Sequence, residues 1–252
     1  MIVLLPPSES KATRRRGARL DLAKLSFPEL TEARQQVAAA VSEVSARDEA
    51  PEVLGVSHNL ADEIARNTRL FDAPTLPAAQ LYTGVLYDAL GLSDLEGADK
   101  ARATRRVVIS SALYGAVRLG DRLAPYRLSM GVNLPPLGAL AAHWRSVLDA
   151  PLSEAAGKGV VVDCRSSTYA ASWNPSGELA RRWVHIRVPG ATHMAKHTRG
   201  LVTRALVTDA RDPRTPKALA AQLAETFDVD LHEATSPSKP WILDVSVREA
   251  TA

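Results

Sequence analysis

Three short aliphatic runs, within Ile2–Leu5, Arg106–Ser110 and Gly159–Asp163, constrain the fold most. Each is too short for a buried helix and too uniformly apolar for a half-exposed strand, so each suits a strand covered on both faces. Between them run longer segments with helical spacing. Ala33, Val37, Val41 and Val44 mark an amphipathic helix over Glu29–Arg47. Ser57 is placed to cap a second helix reaching Arg69, with Leu60, Ile64 and Ala65 on its inner face. Leu76–Leu90 reads as two short helices broken at Thr83-Gly84, and Leu137–Leu148 as a helix around Trp144. Further on, Trp183–Val188 alternates as a strand, Thr198–Val207 and Pro216–Thr226 return to helix, and Trp241–Val247 is a final strand. Strands and helices interleave, which predicts a mixed α/β (α+β) fold: one domain over 1–247, a central mixed sheet flanked by helices, and a short tail at 248–252.

The chain has 252 residues, of which 46% are hydrophobic, so it has the material for a core and is not a disordered polymer. Its longest apolar stretches, MIVLL and RVVISSALYGAV, fall far short of the ~20 residues a spanning helix needs, and no membrane partner is expected. MIVLLPPSESK lacks a basic segment ahead of its apolar residues and reads as a strand entering a loop, unlike a signal peptide. Cys164 is the single cysteine, so no internal disulfide forms, which fits a cytoplasmic setting.

Net charge is +3, and its distribution says more than its size. One basic group spans Lys11, Arg14, Arg15, Arg16 and Arg19. A second holds Arg102, Arg105, Arg106, Arg118, Arg122 and Arg127, and a third Lys196, Arg199 and Arg204. Gathered on one face, these groups attract polyanions; scattered, they only solubilise.

The segment SSALYGAVRLGDRLAPYRLSMG, 110–131, concentrates the features of an anion site. Arg118 and Arg127 carry planar guanidinium forks, and Asp121 is expected to hold one of them in aim. Gly115, Gly120 and Gly131 permit turns or close backbone approach. Asp163, Ser166, Ser167 and Tyr169 follow an expected strand, where α/β proteins place ligand contacts. Cys164 would need a nearby cation or base to become a nucleophile, and Arg165, His193 and His197 are the candidates. His193 and His197 have the spacing of a metal pair, and Asp163 or Cys164 could add a ligand, but no carboxylate stands in the HExxH position, and no metal or cofactor is assigned. Neither GxxxxGK[ST] nor GxGxxG nor GxSxG occurs in a fitting context.

LLPPSESK, LYTGVLYDAL, SALYGAVRLGDRLAPYRLSMG, the Trp144 segment, VVVDCRSSTYAASW and AKHTRGLVTRALV together resemble the bacterial peroxide-stress YaaA family. The resemblance implies a cytoplasmic response to hydrogen peroxide that limits free iron and Fenton damage. It also implies a single domain with a basic cleft, a helix-hairpin-helix-like element and DNA binding. On this chain the hairpin element falls at LPAAQLYTGVLYDAL, and the cleft cations are Lys11, Arg118, Arg127, Lys196, Arg199 and Arg204. Ser8, Tyr82, Tyr114 and Tyr126 would supply hydrogen bonds or stacking, and His197 stands where relatives often carry a cation. The alternative is an enzyme acting on a small phosphorylated or carboxylated, nucleotide-like metabolite, held by Arg118 and Arg127 with Asp121 or Asp163 as acid/base.

Overall fold

The computed structural model describes residues 1–190 and 194–248. At its centre is a seven-stranded sheet of β1 (Ile2–Leu5), β2 (Val107–Ser111), β3 (Gly115–Arg118), β4 (Val161–Asp163), β5 (Trp183–Arg187), β6 (Phe227–His232) and β7 (Trp241–Val247). The strands lie in the order β6-β7-β5-β4-β1-β2-β3. The inner strands β7, β5, β4, β1 and β2 are parallel, and an antiparallel strand closes each edge. Every residue of β1, β2 and β4 is buried, so these strands are nearly continuous in Ile, Val and Leu. Withdrawing each such side chain from water contributes roughly 1.5–3 kcal/mol. Edge strand β6 alternates instead, with Phe227 buried and Asp228, Asp230 and His232 exposed.

Helix Thr31–Ser45 turns Val37, Val41 and Val44 into the core. Helix Met194–Thr208 packs on helix Val85–Leu90 at Gly200, where a Cβ would meet the Leu86 carbonyl oxygen and come within 2.8 Å of the Ala89 Cβ. Arg102 and Arg106 clamp the far end of the longer helix: Arg102 Nε donates to Val207 O at 3.0 Å, and Arg106 Nη1 donates to Asp209 O at 2.7 Å. Cations at a helix C-terminus satisfy its orphan carbonyls and complement its dipole. Two arginines of the second basic group are thereby committed to structure.

Several expectations are revised. Ser57 does cap, accepting from Asn59 N at 3.3 Å, but the segment to Arg69 divides into 3₁₀ turns at His58–Leu60 and Asn67–Arg69 around a helix of Ala61–Arg66. The helix around Trp144 shortens to Leu140–Arg145, because Gly138–Ala139 pairs with Asn133–Leu134. Helix Gly97–Arg106 was not anticipated, since GADKARATRR holds only alanines as apolar residues and is otherwise charged or polar. Most consequentially, 110–131 is not a free loop. Gly115–Arg118 is β3, hydrogen-bonded along β2, and Gly115 takes φ +72° directly under Trp144, whose Cζ3 would lie 2.5 Å from an added Cβ. No helix of the described residues is long and apolar enough to cross a membrane.

Candidate functional site

Strand β1 has β2 on one side and β4 on the other, so the chain leaves the carboxyl ends of β1 and β4 in opposite directions. At such a switch point the departing loops diverge and leave a crevice. A cleft of about 690 Å³ is lined there by Pro6–Lys11 after β1, Ser166 and Tyr169 after β4, and Lys196 and Arg199 on the helix after β5. Thr83–Tyr87 and Arg127–Ser129 complete the wall, so the break between the two short helices Ala78–Leu81 and Val85–Leu90 opens onto the cleft.

Lys11 is tethered by its backbone, which bridges to Tyr82, while Ala12 N donates to Leu81 O at 2.9 Å. Its Nζ donates to Ser8 O at 2.9 Å and to Glu9 O at 3.3 Å, and lies 4.2 Å from the centre of the Tyr126 ring. Burial, with Arg127 nearby, lowers the lysine from its ordinary value to about 7. Arg127 is placed by its main chain: Asn67, wholly buried, accepts from Arg127 N at 2.9 Å and donates to Arg127 O at 2.8 Å. The guanidinium meets Glu63 at 3.5 Å. Arg199 donates from Nε and Nη2 to Ile186 O at 3.3 and 3.2 Å, which holds it at the end of β5. Lys196 is exposed on the same helix. Ser8 Oγ accepts from Thr83 N at 3.1 Å, stitching the loop after β1 to the turn between the short helices.

The remaining expected site residues lie elsewhere. Arg118 pairs across the sheet with Val108, at the opposite edge, and its guanidinium donates to Arg105 O and covers the Phe27 ring. Asp121 does not aim that fork. Its carboxylate accepts from Arg118 N at 2.8 Å and from Ser26 N and Oγ at 2.9 and 2.8 Å, which anchors a turn. Arg204 caps helix Val85–Leu90, donating to Leu90 O at 2.9 Å and Gly91 O at 3.0 Å. Tyr82, Tyr114 and Tyr126 are 2%, 0% and 3% exposed, too enclosed to stack on a ligand. Their hydroxyls serve the interior instead: Tyr126 bonds Ser111 Oγ at 2.8 Å and Tyr82 at 3.2 Å, and Tyr114 donates to Ala124 O at 3.0 Å.

Asp163 is also interior. Burial would raise its carboxyl, but Arg165 overrides this and holds it below the ordinary value, so it stays an acceptor and no proton leaves it near neutrality. Trp183 Nε1 adds a bond at 3.1 Å. Burial pushes the Cys164 thiol up to about 12, which removes it as a nucleophile. The His193 half of the histidine pair lies outside the described residues. Among the described residues, no three His, Cys, Asp or Glu stand together as a metal set. Asn67, Glu9, Ser10, Ser129 and Tyr87 escaped the sequence reading as cleft or supporting residues. Asn67 carries no sequence signal, whereas PPSESK pointed at the loop without distinguishing its members.

Fold and cleft together define an α/β protein with a crevice at the carboxyl edge of a largely parallel sheet. Residues 1–232 match the family model described as peroxide stress protein YaaA. A UPF0246 protein of Streptomyces coelicolor is 47% identical over 99% of each chain. UPF0246 proteins of Corynebacterium efficiens and Corynebacterium glutamicum are 39% and 35% identical, covering 87% and 85% of this chain and 90% and 88% of their own. The chain belongs to the peroxide stress protein YaaA family.

Proposed function

We propose that this chain serves the response to peroxide by binding nucleic acid in the crevice, with Lys11, Arg127, Lys196 and Arg199 gripping phosphates. The observation that carries this reading is the meeting of four cations from three distant stretches of chain around the Thr83-Gly84 turn, with Glu9 the one carboxylate among the described residues lining the cleft and Glu63 paired to Arg127. Arg127 and Arg199 supply forks whose charge persists across physiological pH. Half-buried Tyr169, on the wall, offers the ring that the interior tyrosines cannot. Limitation of free iron and of Fenton damage is the physiological outcome we assign to this binding. The test is a titration of labelled duplex and single-stranded DNA against salt. The logarithm of affinity should fall by roughly 0.9 per log unit of salt for each duplex phosphate engaged. Affinity indifferent to salt refutes the reading.

A second reading is favoured by size. The cleft volume falls within the roughly 300–1,000 Å³ of small-ligand sites, which suits a nucleotide-like phosphorylated metabolite held by the same cations. In that reading Lys11 replaces Asp121 and Asp163 as the titrating group. Equilibrium dialysis with nucleoside phosphates separates the two: micromolar retention of one of them, with DNA unbound, selects the metabolite.

A further inference from the structure

Lys11 differs in kind from the other cations of the cleft. Lys196 is exposed, and Arg127 and Arg199 are permanently charged. Lys11 is half-buried, and no carboxylate of the described residues lies within ion-pair distance of its amine. Its two hydrogen-bond partners, Ser8 O and Glu9 O, are neutral carbonyls, which orient the nitrogen without fixing its charge. Arg127 nearby opposes a second positive charge, while Glu63 and Glu9 favour one and Arg66 opposes it. Burial is the largest influence, disfavours the charged form, and with these charges lowers the amine to about 7. An amine in its neutral form, sharing a cleft with the guanidiniums of Arg127 and Arg199, is equipped for covalent chemistry with a carbonyl.

We infer that Lys11 is a reactive amine that condenses with the aldehyde of a phosphate-bearing sugar held in the cleft by Arg127 and Arg199. The inference rests on the cleft being an anion site. The nitrogen lone pair attacks the carbonyl carbon, and the C=O π pair moves to oxygen, which takes up a proton. The resulting carbinolamine loses water, the nitrogen giving up its protons and forming C=N. The sum is aldehyde plus primary amine giving imine plus water, with no change of oxidation state. Two sources carry this chemistry: a base-free sugar within a DNA strand, and a free sugar phosphate.

The experiment incubates the full chain with cyanoborohydride and either a duplex carrying one abasic site or 2-deoxyribose 5-phosphate, then maps the adduct by peptide mass spectrometry. A single reduced adduct at Lys11 is expected, with a trapping rate that rises as pH passes from 6 to 8. Lys11→Arg, which keeps the charge but not the nucleophile, should lose at least tenfold of the adduct, and Lys158→Ala, on an exposed residue outside the cleft, should keep it. Adduct in the duplex arm alone assigns the source to nucleic acid; adduct with the sugar phosphate alone assigns it to the metabolite and overturns the DNA reading. Binding of intact DNA without adduct in either arm, or adduct spread evenly over the lysines and retained in Lys11→Arg, overturns the inference while leaving the DNA reading standing.

Discussion

Asp163 and Arg165, two residues apart at the end of β4, form a bidentate pair wholly removed from water: Nε donates to Oδ1 at 2.9 Å and Nη2 to Oδ2 at 2.8 Å. Arg165 Nη2 also donates to Trp173 O at 2.8 Å. The pair ties the loop that leaves β4 toward the cleft to the segment around Trp173. Removing one partner strands the other charge in the interior, so Asp163→Asn should cost about 3–5 kcal/mol in urea unfolding. An Asp163→Leu, Arg165→Met double substitution should lose less than either single change, since it strands no charge.

Arg127 and Arg118 are nine positions apart in sequence and at different edges of the sheet in space. Arg127→Ala should weaken DNA binding and reduce the magnitude of the salt slope by roughly 0.9 for the phosphate lost. Arg118→Ala should leave the slope unchanged. Fluorescence anisotropy at several salt concentrations reads both.

Lys11 makes affinity depend on pH. Its charge is lost as pH rises through about 7, so DNA affinity should fall between pH 6 and 8.5, and the fall should vanish in Lys11→Arg. The stability effect has the opposite sense. Between about 7 and 10.5 the unfolded chain binds more protons at this site than the folded one, so stability rises with pH there. Lys11→Met should therefore raise the melting temperature more at pH 6 than at pH 10.

Gly200→Ala tests the helix contact. Alanine is the better helix former by roughly 1 kcal/mol, so propensity alone forecasts stabilisation. The added Cβ collides with the Leu86 carbonyl, which is backbone and cannot swing aside. Net destabilisation of about 1–3 kcal/mol is expected from overpacking. Calorimetry decides the sign.

Asn67 supports Arg127 without facing the cleft. Asn67→Ala leaves the Arg127 main-chain groups without that partner and should cost about 1–3 kcal/mol. It should also weaken DNA binding while preserving the salt slope, because the same phosphate contacts form on a looser frame.

The sheet was legible because its signal is local. IVLL, VVIS and VVVD can be little other than covered strands, and PWILDVSV ends the sheet as its apolar content suggests. β3 and β6 were missed for the complementary reason: GAVR sits in a glycine-rich stretch, and FDVDLH, at the edge, is half polar. The histidine pair stays outside this comparison, as His193 is not among the described residues.

The site divided differently. Residue type shows that a guanidinium can bind an anion, and the identical fork binds carbonyls at helix ends, as in Arg106, Arg118 and Arg204. Tyr82, Tyr114 and Tyr126 likewise bring polar hydroxyls that the interior satisfies within itself. Sequence by itself determined the α/β class, the family and the supply of cations, since these depend on local pattern and composition. Which cations face a common crevice was decided by the strand order, which sends the chain away from β1 and β4 in opposite directions and so creates the crevice from residues far apart along the chain.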